Sequence, residues 1–110
     1  MPKVIVRGMN CPVARALDLL GEKWTLLILR DLFLDGPRKY QDLFESLEGI
    51  SPNILSDRIK KLIDNGLLSK ELYSEHPPRY EYRLTKKGKS LERILIELKN
   101  WGKVHTRFIA

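Results

Sequence analysis

The sequence predicts a mainly α-helical domain with a small β-hairpin near its C-terminal end. Three observations predict it. Apolar residues recur at helical spacing through successive segments between Cys11 and Asp64. The period then switches to strict alternation over Arg79–Leu84. A last helical pattern follows, with Leu91, Ile94, Leu98, Trp101, His105 and Phe108 in steps of three and four.

A first helix is expected to open near Asn10, Cys11 and Pro12. Asn is a good N-cap, and Pro suits a first turn whose amide has no helical partner. Val13, Ala16, Leu17 and Leu20 mark one face, and Gly21 ends the run. A second helix, Lys23 to Leu34, is apolar on nearly all sides, which suits a central helix contacted from several directions. Asp35-Gly36-Pro37 breaks it. A third, Tyr40 to Leu47, carries Tyr40, Leu43, Phe44 and Leu47 on one side. The fourth begins at Ser51-Pro52, turns Leu55, Ile59, Leu62 and Ile63 inward, and stops at Asn65-Gly66. Leu68–Tyr73 is expected to pair with Arg79–Leu84, with Leu68 and Leu72 on one face. Ser74 to Pro78 forms the tip, because Pro77 and Pro78 donate no ladder hydrogen bonds. Thr85 caps a closing helix that is expected to reach about Phe108. Its roughly 24 residues would span about 36 Å.

Composition narrows the function classes. The 110 residues suit one domain, with residues 1–10 as a short N-terminal arm and 11–110 as the folded unit. At 43% apolar and 31% charged residues, the chain is globular in character. Twenty Lys and Arg against fourteen Asp and Glu leave +6, which suits a polyanionic partner. The lone Cys11 forms no internal disulfide, so a reducing, cytoplasmic setting is expected. No apolar run approaches the ~18 residues of a membrane span, and Val4, Ile5 and Val6 are too few for a secretory signal. With only His76, His105 and Cys11 as soft ligands, neither a zinc site nor a cofactor is expected. No phosphate loop or nucleophile–base pairing marks an enzyme.

Short helices, then a two-stranded hairpin, then a closing helix, is the order of a winged helix-turn-helix. In that fold the second helix of the pair enters the major groove of duplex DNA. Opposite its apolar stripe, the fourth helix carries Asn53, Asp57, Lys60, Lys61 and Asp64, flanked by Ser56 and Arg58. Asn pairs with adenine, Arg or Lys with guanine, and Asp accepts from cytosine. Ser51 and Pro52, at the helix start, favour a phosphate. Arg38 and Lys39 precede the positioning helix and are candidate phosphate contacts. Arg79, beside a proline-stiffened tip, is a candidate wing contact.

A small domain cannot hide both an all-round apolar second helix and a long apolar last one. A homodimer through the first and last helices is therefore expected, with Leu91, Ile94, Leu98, Trp101 and His105 as contacts. It would read a near-palindromic operator with half-sites roughly 34 Å apart. Cys11 at a helix start is a candidate redox or electrophile sensor, since the positive end of the helix favours thiolate. The bland alternative is a small buried apolar side chain.

Several stretches together resemble the HxlR family of bacterial transcriptional regulators. They are Cys11-Pro12-Val13, the run Gly21 to Leu32 (Gly-Glu-Lys-Trp-Thr at its head), Gly36-Pro37-Arg38-Lys39-Tyr40, Ile50-Ser51-Pro52 with Leu55-Ser56-Asp57-Arg58, Asn65-Gly66-Leu67, and Pro77 to Tyr82 with Leu84 to Gly88. The resemblance covers Cys11 to about His105. It implies a dimeric, DNA-binding winged helix that acts as repressor or activator and often responds to small reactive molecules. Some members use a cysteine at the place of Cys11 as a sensor. One other class remains open on the residues alone, a winged helix used only for protein–protein contact; a small enzyme is the weakest reading, since no catalytic motif supports it.

Overall fold

A computed structural model describes Gly8 and residues 10–107. The element order is α1 (Pro12–Leu20), α2 (Lys23–Asp35), α3 (Tyr40–Ser46), α4 (Pro52–Asp64), β1 (Leu68–Glu75), β2 (Pro78–Leu84), α5 (Lys86–Lys89) and α6 (Glu92–His105). This is the winged helix-turn-helix that the element order predicts, mainly α with one antiparallel hairpin. Phe108 and most of the 1–10 arm lie outside the described residues.

The core is one cluster. Ile28, Leu29 and Leu32 of α2 meet Leu43 of α3, Leu55, Ile59 and Leu62 of α4, and Leu67, Leu68 and Tyr82 at the root of the hairpin. Helix α4 forms for local reasons as well. Ser51 Oγ accepts from the Ile54 amide at 3.2 Å, and Pro52 occupies the first turn. Its last turn closes on Asn65, and Gly66 takes the left-handed φ of +76° that the exit requires.

The hairpin is longer than the sequence suggests. Its strands run to Glu75 and from Pro78, so the tip is only His76-Pro77, and Pro78 pairs with Glu75. A proline is tolerated there because a strand end in a two-stranded sheet leaves its nitrogen without a ladder duty. Tyr73 is the extra residue of a bulge between Leu72 and Ser74. The inward alternation holds only near the root, at Leu68, Tyr82 and Leu84. Leu72 and Tyr80 face each other in the outer half and are 49% and 43% exposed. The outer hairpin thus projects beyond the core as a wing. Arg38 ties its root to the turn before α3, exchanging two backbone hydrogen bonds with Tyr82 at 3.1 and 2.7 Å.

Two further expectations are corrected. Cys11, not Asn10, holds the N-cap of α1, where its Sγ accepts from the Ala14 amide at 3.2 Å. The closing helix is not continuous. Thr85 caps only the short α5, with Oγ1 accepting from the Gly88 amide at 3.0 Å. Ser90 and Leu91 then form a tight turn, with the Leu91 amide bonded to the Gly88 carbonyl at 3.1 Å, before α6 begins. At 14 residues, α6 spans about 21 Å instead of 36 Å.

Gly88 explains the break. Its α-carbon packs against the Leu67 carbonyl oxygen, so closely that a Cβ would collide with that oxygen and crowd Leu84. Backbone cannot yield as a side chain can. Gly88→Ala is expected to cost about 1–3 kcal/mol, read as a lower urea midpoint with an unchanged slope.

Candidate nucleic-acid interface

With Leu55, Ile59 and Leu62 buried, the opposite side of α4 faces out. Asn53, Ser56, Asp57 and Lys60 are all exposed on it. Two contacts fix its first turn to α3. Tyr40 donates its hydroxyl hydrogen to the Pro52 carbonyl at 3.2 Å, and Ser56 Oγ approaches the same phenol oxygen at 3.5 Å. The Tyr40 ring stacks over Phe44 at a centroid distance of 6.5 Å. Tyr40 therefore sets the angle between the two helices of the helix-turn-helix. Its periodicity marks it in the sequence as a core residue, with no sign of this tie.

The basic side chains divide into two groups. Lys60 and Lys39 stay outward. Lys60 is 75% exposed and pairs with Asp64 at 2.6 Å; that hydrogen bond and charge hold its ammonium above the usual lysine range. Lys39 lies over the Tyr73 ring at 4.7 Å, on the side where the wing meets α3. The Lys39 amide donates to the Asp42 carboxylate at 3.0 Å, which fastens the start of α3.

Arg58, Lys61 and Arg38 turn elsewhere. The Arg58 guanidinium is only 20% exposed and meets Glu22, the residue at the N-cap of α2, and its neighbour Asp57. Lys61 donates to the Asp18 carbonyl of α1 at 3.0 Å. Arg38 bridges Asp35 at 3.1 Å and the Asp42 carbonyl at 3.2 Å. These three cations join helices to one another, which residue type and spacing alone do not reveal.

The wing supplies a cation that the sequence reading passed over. Lys70 of β1 lies over the Tyr80 ring at 4.4 Å. With Lys60, Tyr40, Ser56 and Tyr82 it lines a recess of about 240 Å³ between α4 and the hairpin. Burial, and then the neighbouring Tyr40, push the Tyr82 phenol above its ordinary value, so it stays neutral. The sequence signal for Lys70 is its place in Leu68–Tyr73, the strand expected to pair with Arg79–Leu84; in the fold it stands opposite Tyr82. Arg79 is exposed beside the tip.

Away from this face, Ile94, Leu98 and Trp101 of α6 are 47%, 49% and 62% exposed, with His105 against Trp101 at 4.8 Å. Leu91 instead packs partly against the core. Val13 and Leu17 of α1 are also open. Cys11 is half-buried. Among the described residues no His, Cys, Asp and Glu cluster could hold a metal, and no helix is long and apolar enough to cross a membrane.

The family model described as HxlR-like helix-turn-helix matches residues 19–108. The chain belongs to the HxlR-like family of helix-turn-helix transcriptional regulators. An HTH-type transcriptional regulator of Synechocystis is 38% identical over 95 residues, covering 86% of this chain and 70% of the relative. One from Mycobacterium tuberculosis is 46% identical over 90 residues; the chain spans only 56% of that relative's length. Among solved structures, the redox regulator HypR in its oxidised form superposes with a TM-score of 0.81 at 30% identity, over 89% of this chain and all of that one. The reduced form of the transcriptional regulator YodB from B. subtilis gives 0.74 at 33% identity, over 88% of this chain and 95% of that one. The HxlR-like family and these relatives are regulators of transcription and not enzymes.

The division of cations carries a prediction. Arg58→Ala removes the tie between α4 and Glu22 and is expected to lower stability by about 1 kcal/mol. Asn53→Ala, on the open face, should leave it within about 0.5 kcal/mol. Thermal melts of the two variants check the difference.

Proposed function

We propose that this HxlR-like chain acts as a homodimer that binds duplex DNA at a near-palindromic operator and represses or activates the genes beside it. The observation that carries this reading is the outward face of α4, held rigidly by Tyr40 and flanked by the wing lysine Lys70 and by Lys39. Asn53 and Ser56, in the first turns, are the base-reading residues, since the N-terminal part of a recognition helix reaches base edges. Asp57 accepts from a cytosine amine. The capped terminus at Ser51 and Pro52 receives a phosphate. Lys39, Lys60, Lys70 and Arg79 contact the backbone, whereas Arg58, Lys61 and Arg38 hold the reading helix in place.

The dimer forms through α1 and α6, with Ile94, Leu98, Trp101 and His105 meeting their copies and Leu91 supporting them from the core side. Exposed apolar side chains at this density on one short helix favour burial against a second copy. Cys11 is proposed as a redox sensor. Its thiol sits where the amides of α1 converge and is half-open to solvent, and the similar HypR is a redox regulator.

Three outcomes are expected. On a duplex selected from genomic fragments, log Kd should rise with log salt by about 0.9 per phosphate contact. Lys39→Ala or Lys70→Ala should remove about one unit of that slope on every sequence. Asn53→Ala should leave the slope and lose about 1–3 kcal/mol of preference at one base pair; identical behaviour of the two classes would contradict the assignment. By sedimentation at micromolar concentration the chain should be a dimer and Trp101→Glu a monomer. Diamide should release DNA from the native protein and not from Cys11→Ser. A chain that binds no duplex would instead be a protein–protein module.

A further inference from the structure

A second concave surface lies between α2 and α6, remote from the wing. It encloses about 460 Å³, within the range of small-molecule sites. Its walls are Leu26, Leu27 and Phe33 of α2 and Leu95, Ile96 and Leu98 of α6. Its charged lining is uneven: Lys23, Arg30 and Lys99 against the single carboxylate of Glu92.

Arg30 is not an ordinary surface arginine. Its Nε and Nη2 both donate to Oδ1 of Asp31, at 3.1 and 2.8 Å. Asp31 is only 2% exposed, and its Oδ2 has no hydrogen-bond partner among the described residues. Burying a carboxylate is unfavourable unless it is paired. Here it holds the guanidinium at the rim of an apolar furrow, and the Nη1 donors make no hydrogen bond among the described residues. A cation fixed in advance loses little entropy on binding an anion.

We propose that this furrow binds an amphipathic carboxylate, an acid whose alkyl or aryl tail lies between α2 and α6 and whose head meets Arg30, Lys23 and Lys99. The apolar walls suit the tail, and the three cations suit the head in a way they do not suit a neutral or cationic ligand. A second copy of the chain is the other candidate occupant. The helical turn of about 100° per residue separates the two surfaces: Leu95 and Lys99 face the furrow, Ile94 and Trp101 face away, and Leu98 sits at the seam. The site can therefore remain open in a dimer joined through Trp101. The proposal does not depend on DNA binding.

The test is a titration of the ¹⁵N-labelled 110-residue chain with sodium decanoate, followed by amide chemical shifts, with decyltrimethylammonium as the cation carrying the same tail. Decanoate should give saturable shifts confined to Lys23–Leu34 and Glu92–Lys99, and decyltrimethylammonium should not. Lys99→Glu lies on an exposed helix position and should fold normally, yet weaken decanoate about fivefold. Absence of saturation at millimolar decanoate would overturn the proposal. So would equal binding of the cation, shifts centred on Trp101, or an unchanged affinity in Lys99→Glu whose spectrum is otherwise native.

Discussion

The structure depends on the burial of Leu55, Ile59 and Leu62 beneath α4. All three are 4% exposed or less, in one cluster with Ile28, Leu29 and Leu32 of α2. Each contributes on the order of 1.5–3 kcal/mol by leaving water. In a domain this small, that stripe decides the orientation of the helix. A 13-residue helix with one face committed has no choice about where its other face points. The exposed row from Asn53 to Lys60 is thus a consequence of the core before it is an adaptation to any partner.

The same economy governs the charges. A net charge of +6 invites a count of DNA-binding cations, but several are engaged in keeping the fold. Arg58 holds α4 to the start of α2, Lys61 holds it to α1, and Arg38 joins α2, α3 and the wing root. Removal of the first two is expected to loosen the packing of α4 against α1 and α2. The cations left over on that face, Lys39, Lys60, Lys70 and Arg79, border the open side of α4 and the wing. An electrostatic footprint of this kind is local, and net charge describes it poorly.

Much of this was legible in the sequence. The caps at Ser51-Pro52 and Asn65-Gly66 bracket α4 because each solves a local backbone problem. The alternation from Arg79 to Leu84 marks a strand because the pleat has a period of two. Where reading failed, a tertiary contact had won. Leu91 to His105 continues the helical period that Thr85 opens, but the approach of Gly88 to Leu67 breaks the helix there. Spacing places Arg58 beside the polar face but does not announce its contact with Glu22, distant in the chain. Pro77 and Pro78 signal a turn correctly, and the wing runs further only because a strand end tolerates Pro78. Asn10 is the better capping residue by type, yet the helix starts one residue later and Cys11 takes the cap.

Helix α6 packs Leu95 against the core, whereas Ile94 and Trp101 stay exposed on its other side. The exposed face of α4 remains the decisive surface. Hydroxyl-radical footprinting of the purified protein on host chromosomal fragments examines that helix most directly. Two protected patches on one side of the duplex, centred about ten base pairs apart, are predicted. Uniform cleavage along every fragment, at low ionic strength and saturating protein, would contradict it.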